Sequence, residues 1–167
     1  PHELKLMNYF KKNFYYFLIE NLYKNANYHI GISKKLSRDY SLISKQNFKT
    51  IYNFFDFKKI KEYSKKYKIK KDNRFNYNFI FIARLVDRKQ PLIAVDIINE
   101  ILKIKNNKNF LKLTIIGEGY LDKQLRDYIK KKRLINNVFL KKFSDNHYPH
   151  YINSDFVISC SKYEGFC

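Results

Sequence analysis

Two spacings of apolar residues divide the chain. In its first part, Leu6, Tyr9, Phe10, Phe14, Phe17, Leu18 and Leu22 recur at helical intervals, predicting a helix over Leu4 to Lys24. Tyr28 to Ile32 is short and apolar and ends in Gly31-Ile32-Ser33, which predicts a buried strand. Ser33 then stands where a helix cap belongs, ahead of a helix from Lys34 to about Ile43. Phe48 to Tyr52 reads as another short strand closing at Asn53, and Asp56 is placed to cap a basic helix over Phe57 to Lys66. Lys65 to Arg74 is charged and has few apolar anchors, so a linker is expected there.

Beyond the linker the pattern becomes regular. Asn78 to Ala83 is a nearly continuous apolar run, the mark of a strand covered on both faces. Pro91 suits the first turn of the next helix, where its missing N–H costs little, and that helix turns Leu92, Val95, Ile98, Ile101 and Leu102 inward. Leu111 to Gly117 predicts a second strand, Asp122 to about Lys132 a helix and Asn137 to Leu140 a third strand. A short helix over about Asp145 to Ile152 and a strand over Asp155 to Ser159 complete four strand–helix alternations. The expectation is an α/β fold: a Rossmann-like parallel sheet with helices on both faces. The domain reading is 1–66 as the end of one domain, 67–75 as linker, and 76–167 as a second domain cut short at its C-terminal end.

Composition narrows the class. The 167 residues are 45% hydrophobic and 18% aromatic, which excludes a disordered tail. No charge-free apolar stretch approaches the roughly 18 residues of a spanning helix. Cys160 and Cys167 suit neither a disulfide framework nor zinc spacing, so a reducing, cytoplasmic setting is expected. The net charge of +19 invites a nucleic-acid reading. However, Lys, Asn, Ile, Tyr and Phe are all abundant while Gly is 4 and Trp is 0. That is the profile of a chain from an AT-rich genome, in which Lys covers every solvated face. An anionic partner accounts for the remainder.

In a doubly wound sheet ligands bind beyond the carboxyl ends of the strands, so the residues after each strand carry the candidate chemistry. Arg84 and Lys89 follow the first strand of the second domain and precede a helix N-terminus. A guanidinium, an ammonium and free N–H groups there suit a diphosphate; two surface cations are the plain alternative. Gly117-Glu118-Gly119 follows the second strand but makes a poor dinucleotide fingerprint, because Asp122 stands where a third glycine belongs. Either a close backbone approach to a ligand or a tight turn explains it. Glu164-Gly165 follows the fourth strand, where a carboxylate can accept hydrogen bonds from sugar hydroxyls; an ordinary turn is the plain alternative.

Taken in order, these segments resemble the family 4 (group 1) glycosyltransferases. Phe81 to Leu85 with Lys89 resembles their "GRL…K" segment, and Ile115 to Leu121 their "ivGdGpl". Asn137 to Leu140 resembles "nVtfl", and Ser154 to Ser159 with Tyr163 to Phe166 resembles "aDvfvlpS…EGfg". Upstream, Ile30 to Lys34 looks like "iiavSk" and Ile51 to Asp56 like "viyNgvD".

The resemblance implies a GT-B architecture, here incomplete. Residues 1–66 would end the acceptor-side domain and 76–167 would form most of the nucleotide-sugar-binding domain. It implies metal-independent hexosyl transfer from a nucleotide-diphosphate sugar with retention of configuration and no cofactor, the acceptor being a bacterial surface polysaccharide or a lipid-linked glycan. Arg84 and Lys89 would hold the diphosphate, and Glu164 would contact the donor sugar as the first Glu of an E-x7-E element whose second Glu falls beyond Cys167. Gly165 and Phe166 would line the sugar-phosphate pocket beside Gly117. Phe143 to Asp145 would contact the base, and His2 would be either the cleft histidine of the acceptor-side domain or an ordinary terminal residue.

The chain also departs from the pattern. Ala83, Gln90, Phe54 and Cys167 replace glycines common in the family. A fragment of this kind need not be active alone. Lys11 to Phe17 suits peripheral contact with an anionic membrane or a core-facing helix. The rival readings are a non-enzymatic nucleic-acid binder and a Rossmann-type sugar-nucleotide-modifying enzyme; no nucleic-acid partner is expected.

Overall fold

The computed structural model describes residues 8–66 and 70–164. The chain divides into two compact units, one running up to Phe55 and the other from Asp56 to Lys162, with Tyr163 and Glu164 counted in the first.

In the first unit, α1 (Tyr9–Tyr23) begins at Asn8, whose Oδ1 accepts the Lys11 N–H at 3.0 Å. Residues 4–7 of the expected helix lie outside the described residues. None of its side chains is fully buried, and Phe10 is 83% exposed. Ser33 caps α2 (Lys34–Ser44) as expected, its Oγ accepting the Leu36 N–H at 3.3 Å. β1 (Ile30–Gly31) and β2 (Lys49–Thr50) pair in parallel. Each is shorter than its apolar run. A Cβ on Gly31 would run into Ser37 of α2, so only glycine lets the strand lie this close to the helix. Tyr23, His29, Tyr40 and Phe48 form the aromatic cluster that joins these elements.

The second unit opens with α3 (Phe57–Lys66), capped by Asp56, whose Oδ1 accepts the Lys59 N–H at 3.0 Å. Its sheet holds β3 (Tyr77–Ile82), β4 (Leu111–Ile116), β5 (Val138–Lys141) and β6 (Phe156–Val157), all parallel in the order β5-β4-β3-β6. Between them run α4 (Pro91–Lys105), α5 (Asp122–Lys131) and α6 (Tyr148–Ile152). Phe81, Leu113, Ile115, Val95, Ile98 and Leu125 are nearly or wholly inaccessible and lie between the sheet and the two long helices. Burying each such side chain contributes about 1.5–3 kcal/mol. Right-handed crossovers put α4 and α5 on one face, and the return from β5 to β6 puts α6 on the other. The α/β, Rossmann-like reading therefore holds.

Residues 71–75, ahead of β3, are tied to the sheet. Phe75 is buried, and Asp72 receives Arg74 Nε and Nη2 at 2.9 and 2.8 Å and Lys112 Nζ at 3.2 Å. Lys71 pairs with Asp155 at 2.5 Å, and the same carboxylate accepts the Asn78 N–H at 2.7 Å. This cross-link fixes β6 beside β3. The strand order reverses between those two strands, which opens a crevice at their carboxyl ends.

Candidate functional site

Three loops meet at that crevice through their main chains. After β3, the Ala83 N–H donates to Ile116 O at 3.1 Å, the Leu85 N–H to Glu118 O at 2.9 Å, and the Leu121 N–H back to Leu85 O at 3.1 Å. A Cβ on Gly117 would fall on the carbonyl oxygen of Ala83, and one on Gly119 on that of Leu85. The glycines of Gly117-Glu118-Gly119 thus serve the approach of one loop to another. Of the two explanations open from the sequence, neither named this contact.

Leu85 is buried and anchors the loop, while Arg84 beside it is exposed and, among the described residues, forms no ion pair. The chain then makes a 3₁₀ turn over Asp87–Lys89 and leaves it through Gln90, which sits in the left-handed region at φ 52°. Gln90 stands where a glycine is common, and this φ is the conformation glycine adopts freely. Pro91 follows at the first helical turn, as expected. The loop after β6 closes the third side: Ile158 N–H donates to Ile80 O at 2.8 Å and Lys162 N–H to Arg88 O at 2.9 Å.

Arg84, Lys89 and Gly117 are therefore brought to one end of one sheet. Phe143 and Asp145 lie at the same end, on the loop after β5, and both are exposed. That loop carries a group that sequence reasoning missed. His147 packs among Phe143, Tyr148 and Tyr151, with ring centroids 5.6, 4.8 and 5.9 Å away. Asn146 donates to Tyr63 O at 2.9 Å, yet its Oδ1 and the Nδ1 of His147 are buried without a hydrogen-bond partner. Glu164 is half-buried and counted with the first unit. His2, Gly165 and Phe166 lie outside the described residues.

Electrostatics distinguish the groups around the site. Burial pushes the His150 imidazole below its ordinary range, helped by Lys141, His147 and Lys112, so the ring stays neutral at physiological pH. Burial likewise raises the Cys160 thiol and keeps it protonated. Lys71 and the Asn78 N–H hold the Asp155 carboxyl low. Among the described residues no cluster of three or more His, Cys, Asp or Glu could hold a metal ion. A hollow of about 1010 Å³ does exist, but at the amino ends of the strands, lined by Arg74, Lys103, Lys108, Arg133 and several Asn side chains. None of the candidate residues borders it.

Residues 59–167 match the sequence model of the family described as "Glycosyl transferases group 1". The chain belongs to this family. A group 1 relative, the poly(glycerol-phosphate) alpha-glucosyltransferase of Bacillus subtilis (strain 168), is 32% identical over 90 residues, which is 54% of this chain and 13% of that enzyme. A second is the N-acetylgalactosamine-N,N'-diacetylbacillosaminyl-diphospho-undecaprenol 4-alpha-N-acetylgalactosaminyltransferase of Campylobacter jejuni, 29% identical over 171 residues, covering 99% of this chain and 44% of the enzyme. Among solved structures, TarM superposes with a TM-score of 0.71 at 25% identity, covering 93% of this chain and 28% of that one. Anabaena HepE with UDP-glucose gives a TM-score of 0.69 at 20% identity over 90% of this chain and 43% of that one, which is a likeness of fold. The group 1 chain thus spans less than half the length of either relative.

Proposed function

We propose that this chain supplies the donor side of a retaining, metal-independent glycosyl transfer from a nucleotide-diphosphate sugar. The observation that carries the reading is the stitching of the β3, β4 and β6 loops, which presents Arg84 and the Lys89 turn together at the switch point. Family membership and the relatives' transferase names support it.

In the reaction, the bond between the sugar's anomeric carbon and the diphosphate oxygen breaks, and the electron pair stays on the phosphate. Arg84 and Lys89 stabilise that developing charge, the point at which fixed cations lower a barrier most. The acceptor hydroxyl bonds to the anomeric carbon on the face the diphosphate leaves and gives its proton to the departing phosphate. Glu164 accepts hydrogen bonds from the sugar hydroxyls, Gly165 and Phe166 line the sugar-phosphate pocket, and Phe143 to Asp145 face the base. A Staphylococcus aureus TarM variant, 26% identical, was crystallised with UDP, which makes UDP the first donor base to try. The relatives' names support a glycan or lipid-linked acceptor. Among the described residues no helix is long and apolar enough to cross a membrane. Peripheral contact through α1, with its exposed Phe10, Phe14 and Phe17, would bring the enzyme to a lipid-linked acceptor.

Titration calorimetry of the intact protein with UDP, GDP and ADP tests the reading. One of the three binds, and Arg84→Ala and Lys89→Ala each weaken it by about tenfold or more, the scale of hydrogen bonds to charged groups. Absence of binding by all three, or unchanged affinity in both variants, overturns it.

A further inference from the structure

The turn that carries Arg88 and Lys89 is gripped from two sides. On one side the Lys162 N–H donates to Arg88 O at 2.9 Å. On the other stands Tyr120, from the loop after β4. Its phenol oxygen accepts the Asp87 N–H at 3.1 Å and its hydroxyl donates to Asp87 Oδ2 at 2.5 Å. Asp87 opens the 3₁₀ turn, so its N–H is one that the turn itself leaves without a partner. One hydroxyl thereby satisfies that N–H and ties down the carboxylate of the same residue.

Burial does not explain this contact. Tyr120 is 68% exposed and contributes little to the core, so the hydroxyl's main structural effect is local. Nor does the family pattern supply it: in the "ivGdGpl" segment that Ile115 to Leu121 resembles, Tyr120 stands at a proline, which has no hydroxyl.

We propose that Tyr120 is a positioning residue for diphosphate binding, its phenol bridging to Asp87 and fixing the turn that presents Lys89. The proposal rests on the reading of this crevice as a diphosphate site. With the hydroxyl in place, the turn meets the ligand already ordered; without it, binding must also order the turn.

The test uses whichever of UDP, GDP and ADP the wild-type protein binds, together with its nucleoside monophosphate. Tyr120→Phe keeps the ring and removes only the hydroxyl. It is expected to weaken the diphosphate by about 2- to 10-fold, the net scale of a typical hydrogen bond, while the monophosphate is unaffected. Asp87→Ala should do the same, and the double variant should be no worse than either single one, since the two groups act as a unit. Equal weakening of both nucleotides, full additivity, or unchanged diphosphate affinity in Tyr120→Phe overturns the proposal. If the wild-type protein binds no nucleoside diphosphate, the diphosphate reading itself has failed, and this proposal with it, at a separate readout.

Discussion

The two ends of the four-stranded sheet are built by opposite means. At the amino end the connecting segments are held by side chains. Asn137 Nδ2 donates to Lys108 O and to Leu111 O, both at 2.7 Å, and Asp72 gathers Arg74 and Lys112. This leaves an open hollow rimmed with cations and amides. At the carboxyl end the loops are held backbone to backbone, so closely that Gly117 and Gly119 are required. Arg84 is exposed there. Void size and the proposed site therefore separate: the roomy end is the amino end, and the proposed diphosphate site lies at the crowded carboxyl end.

The comparison predicts a graded series of effects. The largest comes from Gly117→Ala, whose new Cβ would push the β3 and β4 loops apart. Overpacking of this kind costs about 3 kcal/mol, read from the urea midpoint, and nucleotide binding should be lost with it. Next is Asn137→Ala, which leaves two carbonyls at the amino end unpaired. It should cost about 2 kcal/mol of stability yet leave nucleotide affinity unchanged, which Gly117→Ala does not.

A smaller effect is acid sensitivity. Arg74, then Lys112, hold the Asp72 carboxyl well below the usual range, and Lys71 with the Asn78 N–H does so for Asp155. A depressed carboxyl adds stability above the ordinary aspartate range and loses it as pH falls. Melting temperature should therefore drop as pH is lowered below about 4, and Asp72→Asn should flatten that decline. The smallest is Lys108→Ala at the hollow, a surface change expected to stay within about 0.5 kcal/mol with no effect on nucleotide binding. A loss of affinity there comparable to that of Arg84→Ala would erase the distinction between the two ends.

Much of this was legible in the sequence where a single residue has one local job. Ser33 and Asp56 cap their helices, Pro91 opens α4, and the apolar runs at Tyr77–Ile82 and Leu111–Ile116 become the central strands. The α4 residues expected inside are so for Val95 and Ile98, while Leu92, Ile101 and Leu102 are half-buried against the core. The motif order also led to the right family.

What periodicity could not reveal were relations between distant residues. Tyr120 and Asp87 are 33 positions apart, and only their placement after neighbouring strands brings them together. Gly117 answers to Ala83 of another loop, so its meaning depends on the strand register.

Amide hydrogen exchange with and without whichever of UDP, GDP and ADP the protein binds reads both ends of the sheet in one experiment. The account predicts slowed exchange in 84–90, 117–121 and 158–164, with 74–76, 105–109 and 133–137 unaltered. Protection confined to the second set, or spread evenly over both, would contradict it.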